Sequence, residues 1–202
     1  MANLQLNKFG ILLSGGIDSA ALAYWKKPDY GIHINYGQKC AEAELTASSA
    51  IANAIGFPLE VINIDCSSLG SGDLSTNKFL PFAPVSEWWP FRNQLLLTFA
   101  AMKAVSVGIE ELFFGAVSTD NKHIDGTSKF FELLNAVIEL QEGNIRLSVP
   151  AISLTSEELI KLSKVPTSIL GWTHSCHTSN VPCSICNGCN KHINIKHNLG
   201  LI

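Results

Sequence analysis

The apolar positions of the chain fall into two alternating patterns. Short runs dense in Ile, Leu, Val and Phe occupy residues 9–13, 31–35, 59–64, 111–117 and 145–149. Unbroken runs of this kind suit strands buried on both faces of a parallel sheet. Residues 19–27, 42–55, 94–107 and 130–140 lie between them and have helical composition. Pro28-Asp29 stops the first of these helices and Gly56 the second, while Thr155-Ser156-Glu157-Glu158 has the form of an N-terminal helix cap. The alternation predicts an α/β fold with a doubly wound parallel sheet. The pattern fails over residues 65–90, where Ser, Gly, Asn and Pro recur without period. Such an excursion predicts an active-site lid, with Trp88-Trp89 as its apolar contact to a base or else as a core or dimer contact.

The chemistry gathers at the carboxyl ends of the predicted strands, where open parallel sheets bind ligands. The first strand ends in Ser14-Gly15-Gly16-Ile17-Asp18-Ser19. Adjacent glycines let main-chain N–H groups approach a ligand, and the helix that follows points its positive end at the same spot. Ser14 and Ser19 add hydroxyl donors, and Asp18 offers an oxygen to a magnesium ion shared with phosphate. The expected result is a polyphosphate cradle. It is not a Walker loop, which needs Gly-Lys-Ser/Thr, because no Lys occurs between Lys8 and Lys26. Tyr36-Gly37-Gln38-Lys39 ends the second strand. The polar stretch 118–129 after the fourth holds Asp120, Lys122, His123, Asp125 and Lys129.

Composition narrows the function. A chain of 202 residues that is 47% hydrophobic and 15% charged has material for one well-filled α/β domain. A net charge of −3 gives no basic patch for nucleic acid, so a small-molecule substrate is expected. The N-terminal apolar run is too short for a signal peptide or membrane span, which predicts a cytoplasmic protein. Cys176, Cys183, Cys186 and Cys189 form C-x6-C-x2-C-x2-C, the pattern of a closed, structural tetrahedral zinc site. His174, His177 and His192 are competing ligands, and an iron–sulfur cluster is the alternative. The chain is thus expected to divide into a phosphate-binding α/β unit, 1–170, and a zinc-binding cysteine segment, 171–202.

Ser-Gly-Gly-Ile-Asp-Ser resembles the PP-loop of the ATP pyrophosphatases, which split ATP into AMP and pyrophosphate while adenylating an oxygen of the substrate. That resemblance implies an adenine nucleotide alpha hydrolase-like, Rossmann-type sheet. Together with Tyr36-Gly37-Gln38, Pro90-Phe91-Arg92-Asn93, Gly115, Asp125 and Ser175-Cys176 with Cys183, Cys186 and Cys189, nearly the whole chain resembles the 7-cyano-7-deazaguanine synthase family. The resemblance implies adenylation of 7-carboxy-7-deazaguanine, displacement of AMP by ammonia to give an amide, and dehydration of the amide with a second ATP. It implies ATP, magnesium and zinc as cofactors, and a homodimer. ATP would be held by Leu13, Ser14, Gly15, Gly16, Ile17, Asp18, Ser19, Asn35 and Gly115, with Ser14, Asp18, Ser19 and Arg92 catalytic. Tyr36, Gln38, Arg92 and Asp125 would bind the deazaguanine.

The chain departs from that family near the substrate. His123-Ile124-Asp125-Gly126-Thr127 stands where the family has Tyr-Pro-Asp-Cys-Arg. Thr155-Ser156 stands for Thr-Lys, and Lys191 loosely matches the basic residue after the last cysteine. Lys122, Lys129 and Lys161 are candidates to replace the missing cation. These changes also suit a related enzyme of bacterial antiviral defence, which would couple a deazaguanine to a protein amine, or a non-catalytic nucleotide-binding protein.

Overall fold

In the computed structural model, which describes residues 8–120 and 123–202, the strands are β1 (Phe9–Leu12), β2 (Tyr30–Asn35), β3 (Leu59–Asn63), β4 (Glu111–Phe113) and β5 (Arg146–Ser148). They form one sheet in the order β3-β2-β1-β4-β5, with every pairing parallel. The helices are α1 (Ile17–Lys26), α2 (Ala41–Ile55), α3 (Arg92–Val107), α4 (Ser128–Glu139), α5 (Ser156–Ser163), α6 (Thr167–Leu170) and α7 (Asn187–Asn198). None among the described residues is long and apolar enough to cross a membrane.

Strand side chains alternate between faces, so β1 sends Ile11 into one core and Leu12 into another. The first core collects Leu22 of α1, Ile51 of α2, Leu159 of α5, Ile169 of α6 and Ile195 of α7. The second collects Leu97 and Ala104 of α3 with Phe131 and Leu134 of α4. Helices therefore cover both faces of the sheet, which explains why its strands read as continuous apolar runs. Ile195 also makes the C-terminal segment part of the main core.

Chain order reverses at β1: β2 and β3 are laid to one side, and the chain then returns along α3 to place β4 on the other. The loops leaving β1 and β4 consequently diverge and open a crevice at their carboxyl ends. β4 is shorter than the apolar run 111–117 suggests. The Phe114 N–H still donates to the Ser148 carbonyl at 3.0 Å, but Gly115 then lets the chain turn toward α1, where a Cβ would stand 3.2 Å from the Ser19 Cα. The excursion 65–90 contains 3-10 turns at Ser67–Leu69 and Gly72–Leu74. Trp89 is buried in the second core, with its ring edge-on to Tyr36 at 4.9 Å, and Trp88 packs on Phe82. Neither indole lines the cavity described next.

Candidate active site

The loop between β1 and α1 is held from inside. Gly15 has φ +82°, and a Cβ there would stand 2.7 Å from the Glu44 carbonyl and 2.8 Å from the Ala47 Cβ, so the turn needs glycine for both conformation and space. Gly16 has extended backbone and is the N-cap of α1. Ser14 Oγ accepts from the Gly16 N–H at 3.3 Å and lies 3.2 Å from Ser19 Oγ, which donates to the Gly16 carbonyl at 2.9 Å. Beneath the loop, Ser48 Oγ donates to the Leu13 carbonyl at 3.0 Å, and His33 Nδ1 is 3.0 Å from both atoms.

A cavity of about 930 Å³ opens at the crevice. That lies toward the upper end of the roughly 300–1,000 Å³ typical of ligand pockets and leaves room for a nucleotide with a second small molecule. Leu13, Ser14, Gly16, Ile17, Asp18, Ser19 and Gly115 line it, whereas Gly15 lies beneath the wall. Asn35 stands off the cavity: its side chain braces the end of β2 by accepting from the Gly37 N–H and donating to Asn63.

In this wall Lys191 Nζ bridges Asp18 Oδ2 at 2.9 Å and Asp120 Oδ1 at 3.1 Å. The bridge joins α7 to the loops after β1 and β4. Burial pushes the Asp18 carboxyl above its ordinary value, and Lys191 only partly reverses that effect. Burial would likewise lower Lys191, but the two carboxylates outweigh it and hold the ammonium in its charged form. Asp18 Oδ1 and Ser156 Oγ are buried and neither makes a well-formed hydrogen bond, although the Ser156 hydroxyl lies near enough to Asp18 to help hold its carboxyl down. An unpartnered carboxylate oxygen in the first turn of a helix, beside hydroxyl and N–H donors, fits a hard divalent cation and the phosphates it accompanies.

Tyr36 and Arg92 also line the cavity. Gln38 and Asp125 are not among its lining residues. Gln38 accepts from the Tyr36 N–H at 2.9 Å and donates to Glu44 Oε2 at 2.7 Å. Asp125 Oδ2 accepts from the Asn93 N–H at 3.2 Å, while Asn93 Nδ2 donates to the Asp125 carbonyl at 2.8 Å. Asp125 thereby fixes the first turn of α3, where Arg92 begins the helix. His123, from the polar stretch expected at the end of β4, lines the wall, and so do Glu44, Glu87 and His177, which were not expected as binding groups of the crevice. Burial, followed by the charge of Arg92, pushes both imidazoles below their ordinary value.

The thiols of Cys176, Cys183, Cys186 and Cys189 lie within 4.8 Å of one another. Cys176 and Cys186 are separated by 4.0 Å, and Cys183 and Cys189 by 3.9 Å. A tetrahedron with Zn–S bonds of about 2.3 Å has edges of about 3.8 Å, so the cluster fits one such ion. Hydrogen bonds from the Thr178 hydroxyl and from backbone N–H groups pull Cys183 down to about 5, favouring the thiolate that a metal takes. Two of the competing histidines are occupied otherwise, since His174 Nε2 lies 3.1 Å from the Ser179 carbonyl and His192 Nδ1 lies 2.9 Å from Ser175 Oγ, while His177 lines the cavity and is not grouped with the four thiols. The His174 N–H donates to the Gly15 carbonyl at 3.0 Å, which fastens the cysteine segment to the β1 loop.

A family model described as queuosine biosynthesis protein QueC matches residues 8–194. The chain belongs to the QueC family. Among curated relatives of this QueC chain, the 7-cyano-7-deazaguanine synthase of Chlorobium phaeobacteroides is 32% identical over 89% of this chain and 87% of its own length. That of Acidobacterium capsulatum is 31% identical over 89% and 87%. That of Methanobrevibacter smithii is 29% identical over 88% of each chain. Of the cations considered for the place of Ser156 in this QueC chain, Lys129 is exposed and paired with Glu132 at 3.3 Å. Lys161 is exposed on α5 and stands off the cavity, and Lys122 lies outside the described residues. Lys191 is in the wall.

Proposed function

We propose that this chain is an ATP-dependent ligase that converts 7-carboxy-7-deazaguanine to 7-cyano-7-deazaguanine, as the names of its relatives suggest. One observation carries the reading: the unpartnered Asp18 oxygen sits among the Ser14, Gly16 and Ser19 donors at the start of α1, inside the large crevice. The substrate carboxylate attacks the α phosphorus of ATP and pyrophosphate departs. Ammonia then attacks the acyl carbon and AMP leaves, giving the amide. A second ATP adenylates the amide oxygen with release of a second pyrophosphate, and loss of AMP together with the two amide N–H protons yields the nitrile. Asp18 would hold magnesium, which neutralises phosphate charge. Ser14, Ser19 and the loop N–H groups donate to the pyrophosphate oxygens as charge develops on them. Arg92 binds the substrate carboxylate, and Tyr36 forms the wall against which the flat bicycle packs. Asp125 is a positioning residue in this reading, holding the α3 terminus and therefore Arg92. The four cysteines hold a structural zinc ion, for which the closed donor set leaves no open position.

The test is incubation with 7-carboxy-7-deazaguanine, ATP, magnesium and an ammonium salt, followed by mass analysis. The expected products are the nitrile, AMP and pyrophosphate, and Asp18→Asn should lower turnover by about a hundredfold or more. ADP with phosphate, or no nucleotide cleavage, would sink the reading. The altered segment around His123 also favours a second reading, in which the activated deazaguanine passes to a protein amine. A stalled adenylate or amide, or a mass addition on protein, would select it.

A further inference from the structure

Among the described cavity residues, permanent positive charge is carried by Arg92 and Lys191, and only Lys191 is bonded to the loop carboxylate Asp18. Its ammonium gives one N–H to Asp18 and one to Asp120. An ammonium has three donors, so a third is left for an incoming anion. The wall around it otherwise presents the carboxylates of Asp18, Asp120 and Glu157, which would repel a polyphosphate. Ser156, buried at the start of α5, brings only an unpartnered hydroxyl to this region.

The lysine is long and flexible, but its base is fixed. Cys186 caps α7, its sulfur accepting from the Cys189 N–H at 3.4 Å. Gly188, in the same turn, packs so closely on Ser175 that a Cβ would collide with the Ser175 carbonyl. Ser175 follows His174, which is bonded to the Gly15 carbonyl. Lys191, two residues after Cys189, is thus aimed at the β1 loop by the cysteine cluster.

We propose that Lys191 is the phosphate-binding cation of this chain, supplied to the β1 loop from the cysteine segment. The proposal rests on the reading of the crevice as an ATP site. Lys191 shares its charge between Asp18 and Asp120 and donates its third proton to the β or γ phosphate. As a compact point charge it binds phosphate without the planar fork of arginine.

Calorimetric titration of the metal-loaded protein with inorganic pyrophosphate, with magnesium ATP and with adenosine tests this. Lys191→Met should weaken pyrophosphate and ATP about tenfold or more, the loss expected for one charge-assisted hydrogen bond, and leave adenosine unchanged. Adding Ser156→Lys to that variant should recover most of the loss. In the unaltered protein, pyrophosphate should protect Lys191, and not Lys161, from an acetylating reagent, so the test survives if the variant fails to fold. Wild-type ATP affinity in Lys191→Met, or equal labelling of Lys191 with and without pyrophosphate, would overturn the role of Lys191 and leave the ATP reading standing. A wild-type protein that binds neither ATP nor pyrophosphate would overturn both.

Discussion

Gly15 and Gly16 are chemically identical and adjacent, yet the structure separates their duties. Gly15 has a left-handed backbone pressed against Glu44 and Ala47, whereas a Cβ on Gly16 would meet nothing closer than Ser14 Oγ at 3.4 Å. Gly15→Ala should therefore cost about 1–3 kcal/mol in backbone strain alone, with the steric clash in addition. In a chain of this size that corresponds to a melting temperature lower by roughly 2–4 °C per kcal/mol. Gly16→Ala should leave the melting temperature nearly unchanged and weaken nucleotide binding, where its added methyl group crowds the ligand. Thermal denaturation of the two variants checks the first claim, and ATP titration the second. The motif alone could not assign these roles, since the atoms that crowd Gly15 belong to a helix about thirty residues further along the chain. Gln38 and Asp125 teach the same lesson. Both lie in loops leaving the carboxyl edge of the sheet, where ligand contacts are expected, but Gln38 bonds to the Tyr36 N–H and Glu44, and one oxygen of Asp125 bonds to the Asn93 N–H.

Among the elements, α1 to α4 and the strand order along the chain could be read from periodicity, because each must bury a continuous face. α7 could not. Its sequence, Asn187–Asn198, is polar, with Ile195 as its buried aliphatic residue beside the buried Gly188 and Cys189 of the first turn. Such a helix draws little stability from apolar burial and depends on how its N-terminus is anchored. Cys186 and Cys189 supply that anchor, so metal in the cysteine cluster should govern the placement of the whole helix. Treatment with a strong chelator is expected to lower thermal stability and pyrophosphate affinity together, and both should return on adding zinc. Retention of full pyrophosphate affinity after verified metal removal would show that α7 is held by other contacts.

The histidines make the stability of the whole molecule depend on pH. His33 is 1% exposed beneath the β1 loop, and its Nε2 has no hydrogen-bond partner. Burial lowers its pKa from 6.5, outweighing the Leu13 carbonyl and the charge of Glu44. The folded state therefore refuses a proton that the unfolded chain accepts near pH 6.5. The unfolded state binds more protons below that point, so stability should fall as pH drops from 7.5 toward 5. Denaturant titrations across that range should show the slope, and His33→Gln should flatten it in part, since the half-buried His123, His177 and His192 shift in the same direction. By itself, the sequence determined the layered parallel fold, the glycine loop after β1 and the grouping of the four cysteines, because strand burial, a glycine turn and thiol spacing are each satisfied within a few consecutive residues. Only the tertiary structure decided that Lys191, 173 residues from Asp18, completes the loop. It also decided that Asp125 and Gln38 serve as braces and that Trp89 belongs to the core. Those outcomes depend on which groups meet across the crevice, and that is set by chain reversal at β1 and the docking of α7.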